Sequence, residues 1–137
     1  YENFSKKQII SIKKLLKYLI KKYNIKQKYI LGHSDISPDR KKDPGEKFPW
    51  KELAKSRLSR WHNLDEKKLR EKRLIKLNFD EENKFLTNLK KIGYLKISHK
   101  CSNLKKRIII KAFQRHFRQE LINGISDQEC LIISKNL

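Results

Sequence analysis

The sequence predicts an α/β fold that ends in a small three-helix bundle, and three observations carry that prediction. An amphipathic helical run leads straight into a short apolar strand, a loop holding all three prolines follows it, and residues 78–137 contain three apolar-periodic segments separated by turn residues. Ser5 with Gln8 three positions on is a capping-box signature, and Ile9, Ile12, Leu16, Leu19 or Ile20, and Tyr23 behind it recur at steps of three and four. This pattern predicts a helix from about Ser5 to Tyr23, apolar on one side and studded with lysine on the other. From Lys28 to Gly32, the run Tyr29-Ile30-Leu31 closed by a glycine reads as a buried strand. His33 to Pro49 carries Pro38, Pro44, Gly45 and Pro49, so it is an irregular loop at a strand end, where chemistry is usually placed.

Pro49 suits the first position of a short helix through Trp50, Leu53 and Ala54. Lys55 to Lys76 alternates charge with few apolar anchors and reads as a connector, helical in part. Beyond Asn78, a helix with Phe85, Leu86, Leu89 and Ile92 stops at Gly93, and a second carries Ile108, Ile109, Ala112, Phe113 and Phe117. After a turn at Gly124, Ser126 and Glu129 form a second capping box ahead of Leu131, Ile132 and Leu137. The expected organisation is a first unit over residues 1–60, a linker over 61–77 and a helical unit over 78–137.

Composition limits the functions available. The chain has 137 residues, 35 Lys+Arg against 15 Asp+Glu, a formal charge of +20 and 37% apolar residues, below the roughly 45–50% of an average globular chain. A thin core is attainable, and the clustering of Ile, Leu, Phe and Trp argues against wholesale disorder. Lysine interrupts every apolar run, so no transmembrane helix is expected. Cys101 and Cys130 are too few for a disulfide scaffold, lack zinc-finger spacing and are expected to be separate thiols. A charge of +20 attracts polyanions. Eight arginines among 27 lysines, however, make the fork-shaped reader of bases and phosphates the minority cation. A nucleic-acid reading rests on charge alone, without the interleaved aromatics it needs, and no nucleic-acid partner is expected. The chain contains no Met and starts at Tyr1, so it is expected to be part of a longer product, with any leader upstream.

The most informative stretch is GHSDISPDRKKDPGEKFPW, Gly32 to Trp50. A loop that doubles back there can bring the His33 imidazole and the Asp43 carboxylate to one metal at roughly 2.0–2.2 Å, as zinc requires. Arg40 and Lys41 stand beside it as cations suited to a developing oxyanion. Spacing alone also fits a capping or hydrogen-bonding pair, which a His and an Asp in a Pro-rich loop more often are. Asp35 and Asp39 flank the loop as turn-forming or ligand-supporting residues. His62 and His99 read as exposed polar residues.

Extended to GHSDISPDRKKDPGEKFPWKEL, the stretch resembles the second half of the catalytic domain of the zinc-dependent N-acetylmuramoyl-L-alanine amidases, the amidase-2 group that includes the anhydromuropeptide amidases. That resemblance implies the C-terminal half of a mixed-sheet α/β domain, with His33 and Asp43 as two of three ligands to Zn2+ and Lys41 polarising the scissile carbonyl. It implies hydrolysis of the amide between N-acetylmuramic acid, or its anhydro form, and L-alanine, in cell-wall degradation or muropeptide recycling. The family's third ligand, a His, and an assisting Glu lie upstream and cannot be placed in this sequence. The chain alone is therefore expected to be incomplete, with the missing N-terminal part of the same domain as a partner beside peptidoglycan or muropeptides. The implied location is the bacterial cell envelope, the periplasm before the cytoplasm.

AFQRHFRQELINGISDQEC, residues 112–130, with FLTNLKKIGY before it, resembles the three-helix peptidoglycan-binding domain attached to cell-wall hydrolases. Phe113 and Phe117, at i and i+4, are expected in its core. Arg115, His116 and Arg118 are expected to point partly outward, which makes Arg115 and Arg118 candidates for substrate contact. The alternative function is a non-catalytic peptidoglycan-binding fragment of a degenerate amidase.

Overall fold

The computed structural model describes residues 2–94 and 100–137, so His99 lies outside the described residues. Helix α1 (Lys6–Tyr23) begins as its cap predicts: Ser5 Oγ accepts the Gln8 amide at 3.2 Å, and the Gln8 side chain accepts the Ser5 amide at 2.8 Å. Asn24, in the left-handed conformation at φ 50°, closes it. No residue of α1 is fully buried; Ile12, Leu16 and Ile20 pack half-buried against Trp50, Leu53 and Leu58. Lys13 Nζ meets Glu52 Oε1 at 2.6 Å and ties α1 to α3 (Trp50–Lys55).

The α/β expectation is corrected. Gln27–Tyr29 is a 3-10 turn, and the described residues contain no strand, only an isolated bridge between Lys76 and Asp127. Ile30 is extended at φ −87°, ψ 102°, but no described backbone lies beside it to form a ladder, and Tyr29 and Leu31 are exposed. An apolar run becomes a strand only where a neighbouring backbone takes its hydrogen bonds. Pro49 also stands one position outside its expected place, as the residue preceding α3.

Three further helices build the C-terminal core around α4 (Glu66–Arg70): α5 (Phe79–Ile92), α6 (Asn103–Phe117) and α7 (Gln128–Asn136). Asn78 and Glu81 form a reciprocal cap on α5, and Gly93 ends it at φ 129°. Phe85, Leu89, Ile109, Phe113 and Leu131 are buried together, and Leu69 of α4 joins them with Trp61, Leu64 and Leu77 packed around it. Residues 61–77 thus contribute to the core of the helical unit. Cys130, buried, and Cys101 are not joined as a disulfide, in line with separate thiols.

The second capping box forms differently from its pattern. Asp127, not Ser126, caps α7 by accepting the Cys130 amide at 2.9 Å. Glu129 turns instead to Arg73 and Arg118, at 2.7 and 3.1 Å. Gln114, fully buried, donates to Asn123 Oδ1 and the Ile125 carbonyl and accepts the Gly124 amide at 2.8 Å, which pins the turn before α7. At Gly124 φ is +75°, and an added Cβ would stand 2.5 Å from Arg107 Cγ, so glycine is required there.

The C-terminal end of α6 packs against α2 (His33–Ile36) and α3. The expectation that Arg115, His116 and Arg118 point outward is therefore corrected: all three are buried. His62, expected at the surface, is buried as well, with its ring 5.1 Å from that of Trp61.

Candidate functional site

The loop after Ile30 folds back on itself through its own backbone. Gly32 precedes α2, and Ser37 closes that single turn by donating its amide to the His33 carbonyl at 2.8 Å. The amides of Arg40 and Lys41 then donate to the Ser37 carbonyl at 3.1 and 2.9 Å, and that of Gly45 donates to the Lys42 carbonyl at 3.0 Å. These turns return the chain to α2, where the Ser34 amide donates to the Asp43 carbonyl at 3.0 Å. The backbone of Asp43 is thus fixed one residue from His33.

The two side chains meet as a result: His33 Nδ1 and Asp43 Oδ2 are hydrogen-bonded. Both are open to solvent, 70% and 55% exposed, so their donor atoms can be reached from outside. The His33 bond is the largest influence holding the Asp43 carboxyl below the usual carboxylate range, and the charge of Lys41 adds to it. Lys41 is itself exposed. The structure brings His33 and Asp43 into contact, with Lys41 close enough for its charge to act on Asp43.

An imidazole nitrogen beside a carboxylate oxygen is a donor pair that zinc takes. The fit is that of a partial set: no group of three or more His, Cys, Asp or Glu able to hold a metal occurs among the described residues. Arg115 and Arg118 do not join this site as solvent-facing groups. Arg115 points to Glu46, Nε to Oε1 3.9 Å, and Arg118 is enclosed by Asp127, Glu129 and Asn123.

A different set of residues, of which the sequence singled out Asp35 as a flanking residue and His116 only as an outward-facing one, supports α2 from behind. The side chain of Asp35 is 6% exposed and accepts three bonds: from Tyr94 Oη at 2.7 Å, His116 Nδ1 at 2.9 Å and the Gly32 amide at 2.9 Å. Burial alone would raise its pKa; the His116 contact, followed by Tyr94 and the Gly32 amide, more than offsets that and leaves it lowered. Burial and the adjacent carboxylate push the Tyr94 hydroxyl well above its ordinary value, so it stays a donor. The only advance signal was that Asp35 follows His33 by two positions; its partners lie 59 and 81 residues away. Beside this cluster is a cavity of about 240 Å3 with Ile30, Ile36, Ile109 and Phe117 on its wall; His33, Lys41 and Asp43 do not line it.

Residues 1–46 match the protein family described as Amidase_2, N-acetylmuramoyl-L-alanine amidase. Over 98% of its length the chain is 32% identical to the N-acetylmuramoyl-L-alanine amidase AmiD of Escherichia coli, of which it covers 48%. A shorter stretch, 39% of the chain, is 41% identical to the 1,6-anhydro-N-acetylmuramyl-L-alanine amidase AmpD of Haemophilus influenzae, covering 29% of that protein. Among solved structures, it is similar to E. coli AmiD in complex with anhydro-N-acetylmuramic acid-L-Ala-D-gamma-Glu-L-Lys, with a TM-score of 0.84 at 33% identity, covering 98% of this chain and 52% of that one. Pseudomonas aeruginosa AmpDh3 in complex with anhydromuramic pentapeptide follows, with a TM-score of 0.81 at 28% identity, covering 100% of this chain and 54% of that one. The chain spans about half the length of E. coli AmiD.

Proposed function

We propose that this chain supplies part of the active site of a zinc-dependent N-acetylmuramoyl-L-alanine amidase. The reaction is hydrolysis of the amide joining N-acetylmuramic acid, or its anhydro form, to the L-alanine of a peptidoglycan stem peptide. The observation that carries the reading is the pairing of His33 with Asp43 on the open face of a loop, in a chain that matches muropeptide amidases along almost its whole length. We further propose that its place of action is the bacterial cell envelope, where peptidoglycan lies.

His33 and Asp43 would hold the metal. Zinc bound by such donors supplies Lewis acidity, which polarises a carbonyl and acidifies water. Asp43 is already anionic at neutral pH, because His33 and Lys41 favour its charged form, so no proton has to leave it before it serves as a ligand. Lys41, exposed and close enough for its charge to act on Asp43, would stabilise negative charge on the scissile carbonyl oxygen. The remaining ligand and the group that manages the proton would come from the upstream part of the same domain.

Joining the chain to the upstream half of E. coli AmiD tests this. The joined protein is expected to bind about one zinc and to release L-Ala-containing peptides from muropeptides, while His33→Ala or Asp43→Ala brings release to background. Full release by either variant would overturn the ligand assignment. The two-donor set gives a second reading some support, a binding fragment without catalysis. Under that reading the chain pellets with purified peptidoglycan, and the joined protein shows no release.

A further inference from the structure

We infer that His116 and Tyr94 of the helical unit are positioning residues for the His33–Asp43 pair, acting through Asp35. The inference rests on the zinc-amidase reading for its consequence, but its geometry stands without a metal. A carboxylate that is 6% exposed must be fully hydrogen-bonded to remain charged. Of the three donors that satisfy Asp35, two come from the helical unit: Tyr94, just past α5, and His116, near the end of α6. The third is the amide of Gly32, the residue that immediately precedes α2. Asp35 therefore connects the helical unit to the first turn of the loop.

The arrangement of His116 shows a part specialised for orientation. Its ring is stacked between Trp50, at 3.9 Å and 13°, and Phe117, at 4.0 Å and 14°. Its Nε2 is buried without a partner among the described residues, so the bond from Nδ1 to Asp35 is its directional contact. A carboxylate only accepts, so Nδ1 carries the proton. Two further contacts grip the same loop from α6 and just beyond it: Gln119 Nε2 donates to the Phe48 carbonyl at 2.8 Å, and Arg115 faces Glu46. On its far side α2 presents His33, and the Ser34 amide between His33 and Asp35 holds the Asp43 backbone. A shift of Asp35 thus moves both members of the pair. In this assignment the helical unit is a working part of the catalytic site as well as any wall-binding module.

The test uses this chain with His116→Phe, which keeps the stack and deletes the bond, His116→Asn, whose amide lies near the Nδ1 position, and Tyr94→Phe, which deletes one hydroxyl. Amide exchange without metal reads the geometry. The Gly32 and Ser34 amides are expected to exchange about tenfold faster in His116→Phe, to return near the parent rate in His116→Asn, and to speed up in Tyr94→Phe, with α5 amides unchanged. Zinc affinity, measured by competition with a chelator, is expected to fall about tenfold alongside. Unchanged exchange at Gly32 and Ser34, or a uniform increase across the molecule, overturns the inference. Should His116→Phe fail to fold, Tyr94→Phe decides. If His33→Ala leaves zinc affinity at the parent value, the zinc reading fails by itself, and the exchange result still decides the positioning role.

Discussion

Gly32 and Pro44 are in closer contact than any side chain on Gly32 would permit: a Cβ there would stand 2.5 Å from Pro44 Cδ and 3.3 Å from Trp50 Cζ2. Conformation is not the reason for glycine, because φ −89° suits any residue. The reason is that Asp43 and Pro44 return against the start of α2. Gly32→Ala is therefore expected to push the loop off α2, with a loss of about 1–3 kcal/mol in urea denaturation. In amide exchange, the Ser34 proton bonded to Asp43 should lose its protection; full protection would show that the contact can relax.

The helical unit is latched by charge rather than by its apolar core alone. Arg118 Nη1 meets Asp127 Oδ2 at 2.6 Å with both side chains 2% exposed, and Glu129 bridges Arg118 to Arg73. Asp127 also caps α7 and accepts the Leu74 amide at 3.2 Å. Removing one member of a buried pair leaves the other uncompensated, at roughly 3–5 kcal/mol. Asp127→Ala is expected to fall in that range by chemical denaturation. Asp127→Asn, which keeps an oxygen for the cap, should cost less. Equal losses would mean that the charge and not the cap carries the effect.

Most of the helices were legible because their signals are local. Ser5 and Gln8, the three-and-four spacing in α1, Asn78 ahead of α5 and Gly93 behind it act within a few residues of themselves. What was not legible depends on distant partners. Tyr29-Ile30-Leu31 has the composition of a strand, but a strand is a relation between two backbones. Ser126 and Glu129 have the spacing of a cap, yet two arginines, 11 and 56 residues away, claim the glutamate. Phe113 and Phe117 mark one face of α6, so Arg115, His116 and Arg118 read as the other; α2 and α3 pack against the end of α6 that carries Arg115 and His116, Asp127 and Glu129 enclose Arg118, and all three are buried. At the site, the meeting of His33 and Asp43 was legible from their spacing and family likeness, whereas the contacts of Tyr94 and His116 with Asp35 were legible from neither.

His62 is expected to make the fold sensitive to acid. Burial, its main influence, lowers its pKa below 6.5, and its Nδ1 has no partner among the described residues. The unfolded imidazole takes up a proton near pH 6.5 and the folded one only at lower pH, so between the two the unfolded state binds more protons. The contribution of His62 is thus intact above about pH 6.5 and declines as pH falls below it. Between about pH 7.5 and pH 5.5 the parent Tm is expected to drop by a few degrees more than that of His62→Leu. Parallel curves would show that His62 is protonated as readily in the fold as outside it.

The charge of +20 is organised on α1 in a way that its sum does not convey. Lys7, Lys14 and Lys21 are spaced by seven residues, nearly two helical turns, so they lie almost in line, about 10 Å apart. All three are exposed, and α1 contains no acidic residue to pair with them. Lysine is a compact, strongly hydrated charge suited to diffuse attraction rather than bidentate reading. A repeating anionic polymer, such as a glycan carrying peptide carboxylates, complements such a line. Pelleting with purified peptidoglycan is therefore expected to weaken about tenfold between low and physiological salt. Lys→Gln at these three positions should lower binding at low salt and flatten that dependence. Retention that ignores both salt and the three substitutions would place the wall contact on another surface of the chain.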